Sequence, residues 1–263
     1  MQSPIRTGAL FVCMALGWLS ASGAAQGKRS CEDIETFMRN ATLTISRGDS
    51  GLMDDGTVQH RVFVHTKNES YRDQQNRDTW KANVAAYELA KILQINIIPP
   101  YVEIRHAGTS ASVAWGLDDV MMDVGQLKQR NVPPPDSEGW NRQMYLIQVF
   151  DELVYIGGRA PTDTLITRNW QAWIIGPSQA FRPTASLQNP QNLVHCDRKL
   201  LARMRTLDKD VLTIKLGNWL TKEEIEALRA RAAKIVEFFD REIAAKGEAA
   251  VLFDLDRSGV CAF

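Results

Sequence analysis

The chain has 263 residues, 44% hydrophobic and 24% charged, an ordinary globular composition with enough length for one sizeable domain or two lobes. Lys plus Arg (31) equals Asp plus Glu (31). That balance excludes nucleic acid held by bulk charge, because neutralising phosphates needs a basic excess or patch.

Residues 1–25 read as a leader. Arg6 supplies a positive start, Gly8 to Leu19 is apolar but too short to span a bilayer comfortably, and small residues follow up to Ala24 and Ala25. An uncleaved anchor is the alternative. The leader looks bacterial, which implies a periplasmic or extracellular protein with no membrane span left after cleavage. Asn40 and Asn68 start glycosylation sequons that would count only in a eukaryotic secretory pathway. Export permits disulfides. Of Cys31, Cys196 and Cys261, the expected pair is Cys196 with Cys261, and three free thiols are the open alternative.

Cys31 to Asn40 has a helical pattern with Ile34, Phe37 and Met38 on one face. Ala41 to Ser46 alternates like a strand, residues 47–51 and 54–56 read as turns, and Val58 to His65 is a further strand. Spaced glycines in such a turn can cradle phosphate, but an ordinary hairpin turn is favoured. Lys67 to Arg77 is a polar loop. Asp78 is placed to cap a helix from Thr79 to Gln94, which Pro99 and Pro100 forbid from continuing. Val102 to Arg105 and Ser112 to Trp115 are strands. The first lobe, 26–117, is therefore a small antiparallel sheet with one helix packed on it.

In the second lobe, 118–263, residues 118–142 look irregular. Trp140 to Ile156 is a helix apolar around more than half its circumference, as a central helix must be. A loop follows, then a hairpin of Thr164–Thr167 and Ala172–Ile175. Helices are expected at Asp197–Leu207 and Asp208–Leu216. A capping box, Thr221 to Glu224, opens a long amphipathic helix that Gly247 closes.

The stretches AAYELAKIL (85–93) and IIPPYVEIR (97–105) resemble the E-x-A-A-Y-x-L and V-P-P-x-V-x-R run of bacterial HipA-like and phosphatidylinositol 3-/4-kinase-like proteins. Residues 149–181, VFDELVYIGGRAPTDTLITRNWQAWIIGPSQAF, are similar to the same group's F-D-x-L-I-x-N-x-D-R-x-x-x-N-x-L-I and W-x-L-W-L-I-D-H-x-x-A-F elements. Secreted Golgi-type kinases are a more distant likeness. The resemblance runs from about Ile34 to Phe253. It implies an α+β, two-lobe protein-kinase-like fold, with a small antiparallel-sheet N-lobe and a larger helical C-lobe carrying a β-hairpin.

Carried over residue by residue, the resemblance puts the catalytic Asp at Gly158 and leaves its neighbour as Arg159. The metal-binding Asn falls on Asp163 and the metal-binding Asp on Gly176. The phosphate-holding Lys falls near Val64, and the helix Glu that pairs with it falls on Asn83. Phosphoryl transfer is mostly positioning and charge neutralisation, so these losses imply a pseudokinase with no catalytic residues. Arg159 and Asp163 stay as candidate ligand-binding residues, with a mutual salt bridge as their other role, and Asp163 as a candidate metal ligand. ATP with Mg²⁺ is the cofactor that the resemblance implies, and the missing Asp, Lys and Glu positions argue against it.

Three functions stay open: a regulatory or ligand-binding pseudokinase; a phosphotransferase whose roles have moved to Lys67, Lys81, Asp151 or Glu152; and an adaptor whose cleft is filled by Trp173, Tyr155 or the 67–77 loop. His65 reads as a satisfied strand histidine. No histidine has metal-ligand spacing, and Ser178 lacks the sequence context of a nucleophile.

Overall fold

A computed structural model describes residues 30–69 and 77–257. The expected leader, Cys261, and most of the 67–77 loop lie outside them.

Ser30 and Asp33 form a reciprocal capping box that starts α1 (Cys31–Asn40). Strands β1 (Thr42–Arg47), β2 (Ser50–Asp54) and β3 (Gln59–His65) follow. A short ladder of β4 (Asn68–Glu69) with β5 (Asp78–Thr79) leads into α2 (Trp80–Leu93). Strands β6 (Tyr101–His106) and β7 (Thr109–Trp115) complete an antiparallel sheet ordered β1-β2-β3-β7-β6.

Successive side chains of a strand face opposite ways, so each face of this sheet gets its own helix. Val62, Val64, Val102 and Val113 pack with Ile34, Phe37 and Met38 of α1. Tyr101 and Ala114, of the other parity, join α2 in the main core.

The second lobe begins with β8 (Val120–Asp123) and α3 (Val124–Arg130), then α4 (Ser137–Val154). The hairpin of β9 (Thr164–Thr167) and β10 (Ala172–Ile174) takes β8 as its third strand. A parallel pair of β11 (Cys196–Asp197) and β12 (Leu252–Phe253) brackets α5 (Arg198–Arg205), α6 (Lys209–Leu216), α7 (Lys222–Lys246) and α8 (Glu248–Val251). Two buried ties join the lobes. Arg77 pairs with Glu224 at the start of α7 and donates to the Phe181 carbonyl at 3.0 Å. Arg257, stacked on Trp173, donates to the carbonyls of Asn96 (2.7 Å) and Ala172 (2.6 Å). Burial pushes its pKa down to about 9.

Four expectations need correction. The two turns at 47–56 flank a strand, β2, hidden in the sequence by its glycine. A Cβ on Gly51 would come within 2.8 Å of the Leu43 side chain and 3.2 Å of the Thr44 carbonyl, so the close cross-strand approach requires glycine there. Residues 118–142 contain β8 and α3, the latter started by an Asp123–Gln126 capping box. Thr79, not Asp78, caps α2, accepting from the Lys81 amide. Finally, Cys196 is a buried free thiol, which rules out its bridge to Cys261. Cys31 is the disulfide-bonded cysteine, with its partner outside the described residues. Cys196 sits in β11, buried in the main core.

Candidate functional site

The stretch from α4 to the hairpin is a rigid mount between the lobes. Tyr155, left-handed at φ 61°, ends α4 and turns the chain into the loop Ile156–Ala160. A 3-10 turn, Pro161–Asp163, then feeds β9. The loop is fastened by Arg159. Its Nε donates to Asp151 Oδ2 at 3.0 Å, its Nη2 to Oδ1 at 2.5 Å, and its Nη1 to the Ile175 carbonyl at 3.3 Å. Burial pushes the Asp151 carboxyl up, and the Arg159 guanidinium pulls it partly back.

Asp151 is therefore a holding carboxylate. The Arg159–Asp163 salt bridge set out as their other role is replaced by Arg159–Asp151. Asp163 meets the mount through its backbone, accepting from the Ile175 amide at 3.0 Å. Its carboxyl is pushed up by partial burial, with Arg159 and Thr162 drawing it down. Glu152 is also structural, accepting from the amides of Gln188 and Asn189.

Gly158 (φ 78°) and Gly176 (φ 61°) occupy the left-handed region, and a Cβ on either would meet nothing within 4 Å. A side chain has room at both positions, but the backbone favours its absence.

On the first lobe, Val64 packs with the α1 residues Ile34, Phe37 and Met38, although it also borders the inner chamber of the cleft. The cleft-facing residues of β3 are its neighbours Phe63 and His65, cross-strand from Ala114 and Ser112. The one-residue offset reverses the face, which is why a short motif match could not place it. Asn83 does face this side: its Nδ2 donates to Ser112 Oγ at 3.0 Å. Asn83 is 2% exposed and its Oδ1 has no hydrogen-bond partner. An unpaired buried acceptor costs on the order of 1–3 kcal/mol.

A polar latch, unforeseen in the sequence, joins the lobes beside this wall. Asp78 lies 2.8 Å from His65 Nε2 and 3.1 Å from Lys67 Nζ. It also takes a side-chain hydrogen bond from Ser178 in the loop after β10. The Thr79 amide donates to the Ser178 carbonyl at 3.0 Å. Partial burial alone would raise the Asp78 carboxyl; Ser178, Lys67 and His65 outweigh it and hold it low. A polar pair two residues apart from a helix start carries no signature of its own, so only its partners reveal it. Lys81 instead lies 5.8 Å over the Trp80 ring.

Among the described residues, two chambers of the cleft share Gly176. The inner one, about 190 Å³, has Phe63, Ala114, Trp115, Leu117, Leu165 and Ile175 among its walls, with Asn83 and Tyr101. Tyr101 accepts from the Gly176 amide at 3.0 Å, and burial pushes its hydroxyl up to about 12, so it stays a neutral phenol. The outer chamber, about 240 Å³, is framed by Gly157–Ala160, Asp163 and Pro177–Gln179. Trp173 is buried under Arg257 and does not fill the cleft.

Magnesium demands several hard oxygen ligands in octahedral array. Asp163 was expected as a candidate metal ligand, and its carboxyl group is partly buried beside Arg159. Among the described residues no group of three or more His, Cys, Asp or Glu comes together to hold an ion. Of the two positions expected to hold metal, 163 supplies a carboxylate and 176 supplies no side chain.

No protein-family model matches the sequence, and no curated protein matches it either. Solved structures do match in shape. A Hydra Fam20 structure with a sugar superposes with TM-score 0.62 at 12% identity, over 85% of this chain and 92% of that one. The Golgi casein kinase gives 0.55 at 10% identity, over 87% and 80%. The proinflammatory kinase CtkA of Helicobacter pylori gives 0.53 at 9%, over 80% and 98%. The chain has the protein-kinase-like fold.

Proposed function

We propose that this chain is a catalytically degenerate, exported relative of the HipA-like and phosphatidylinositol-kinase-like proteins, which binds a regulatory ligand or partner in its inter-lobe cleft and does not transfer phosphate. One observation carries the reading. The cleft keeps its shape while the charged positions that would neutralise a triphosphate are glycine at 158 and 176, asparagine at 83, and Phe63 and His65 on β3. Removing one preorganised charged group typically costs on the order of 100- to 1,000-fold in rate. Here several are missing together.

Isothermal titration with ATP, with and without Mg²⁺ or Mn²⁺, tests the proposal. The expected result is no metal-dependent binding in the micromolar range, and such binding would overturn it.

A second reading, a phosphotransferase with relocated groups, has the His65–Asp78 contact in its favour. That carboxylate is already engaged by Lys67 and Ser178. Metal-dependent label transfer from radioactive ATP, lost in Asp163→Ala, would support this reading in place of the first.

A further inference from the structure

We infer that a chamber at the start of α4 is a second ligand site, built for a small quaternary ammonium compound held by Trp140, Trp170, Asp136 and Asp256. It stands apart from the inter-lobe cleft. The cleft loop follows the far end of α4, and Trp140 to Val154 is roughly 20 Å of helix.

The chamber measures about 350 Å³, within the range of small-ligand sites. Trp140 and Trp170, both half-buried, line it. Their rings stand at 88° with centroids 6.2 Å apart, as two adjoining walls. An aromatic face is the negative part of the ring quadrupole, and indole is the best such face for a cation. A trimethylammonium group has no N–H to satisfy, so aromatic walls suit it better than a directed acceptor does.

One of these walls is held under strain. Trp170 has φ 62°, the left-handed region, where a bulky side chain is an outlier. Its amide donates to the Thr167 carbonyl at 2.8 Å, and Gln143 Nε2 donates to its own carbonyl at 3.0 Å, which fixes it there. Glycine or asparagine would make the same turn at less cost. The two tryptophans also pack against a small cluster of Met122, Leu127 and Ile166. That packing does not call for a strained backbone beside an open chamber, and strain that neighbours over-determine is a mark of functional sites.

The sign of the lining agrees. Asp136 and Asp256 bring two carboxylates, and Arg257 is the one cation among the described lining residues. Its guanidinium is committed elsewhere, to the Asn96 and Ala172 carbonyls and the Gln143 side chain, with Trp173 beneath it. Asp136 spends Oδ1 on the Gly139 amide as the cap of α4. A Cβ at 139 would strike its second oxygen, so glycine there keeps the carboxylate in place. Asp256 meets Lys199 at 3.3 Å as an exposed pair, which is worth little in water. The lining thus favours a cation over a neutral or anionic ligand of the same shape.

The test compares two probes of one outline on the purified protein by ligand-observed NMR titration. Choline carries the charge; its carbon isostere has a tert-butyl group in place of the trimethylammonium. Choline is expected to bind about five- to thirtyfold more tightly, the worth of a partly desolvated cation over indole. Asp136→Asn with Asp256→Asn keeps the helix cap and is expected to weaken choline while leaving the isostere unchanged. Trp170→Gly suits the left-handed backbone, removes one wall, and is expected to weaken both probes. Equal affinities in the wild type, tighter isostere, no binding of either probe, or undiminished choline binding in the double variant would overturn the inference. So would retention on phosphatidylcholine vesicles without binding of free choline, which would mark a membrane surface in place of a small ligand. The wild-type comparison decides even where a variant fails to fold.

Discussion

The Asp151–Arg159 pair is the sharpest place to perturb the mount. The two side chains are 15% and 8% exposed and share two charge-assisted hydrogen bonds. Asp151→Ala would leave the guanidinium buried with the Ile175 carbonyl, at 3.3 Å, as a neutral partner. Breaking one side of a buried ion pair costs about 3–5 kcal/mol, because the remaining charge is uncompensated. For a chain of this size that is a fall in Tm of roughly 6–20 °C. Replacing both partners by apolar residues of similar volume, Asp151→Leu with Arg159→Met, should return stability to within about 1–2 kcal/mol of the parent. Urea unfolding at neutral pH, followed by far-UV circular dichroism, measures both variants. A single-variant loss below about 1 kcal/mol, the value typical of a solvated pair, would refute the reasoning. So would a double variant no better than the single one.

Gly158→Ala and Gly176→Ala should each cost about 1–2 kcal/mol by calorimetry, since both positions are left-handed and neither offers a steric clash to add to the strain. Introducing two carboxylates, Gly158→Asp with Gly176→Asp, should not create Mg²⁺-dependent ATP hydrolysis, because β3 (Gln59–His65) carries no lysine; measurable turnover in a coupled assay would contradict this. Asp78 is held below its ordinary value, so its contribution is present above the unfolded carboxylate pKa of about 3.9 and is lost as pH falls through the lower folded value. Asp78→Asn should therefore lower Tm at neutral pH, with the gap to wild type closing in acid; a gap that does not change with pH would count against the latch. Burial pushes the Cys196 thiol up, so iodoacetamide should leave it unmodified in the native protein and label it after unfolding, as read by peptide mass spectrometry.

The residues explain what could be read in advance. Helices α2, α4 and α7 were legible because each buries a continuous apolar stripe, with Pro99–Pro100 and Gly247 as stop signals for α2 and α7, while α4 starts at Ser137 and ends at Val154 where Trp140 and Ile156 were expected. The hairpin β9–β10 was legible from two short apolar runs around Arg168 and Asn169. Strand β2 was not, because Gly51 and its acidic neighbours carry turn chemistry, and cross-strand crowding by Leu43 decides the matter. Val64 was misplaced because strand parity sets direction, and parity is anchored by which helix covers each face. The disulfide expectation failed because standing at the two ends of the C-terminal region says nothing about where Cys196 and Cys261 sit in space.

By itself the sequence determined the secondary-structure rhythm and the uncharged residues at positions 158 and 176, since periodicity, capping and residue identity are local properties. Only the tertiary structure decided which groups meet across the lobes. Arg159 turns to Asp151 and not Asp163, Asp78 gathers His65, Lys67 and Ser178, and Asn83 is left with an unpaired carbonyl in an apolar chamber. Those outcomes depend on which buried polar groups find partners at hydrogen-bond distance once the sheet, α2 and the hairpin are packed, and no one-dimensional spacing encodes that geometry.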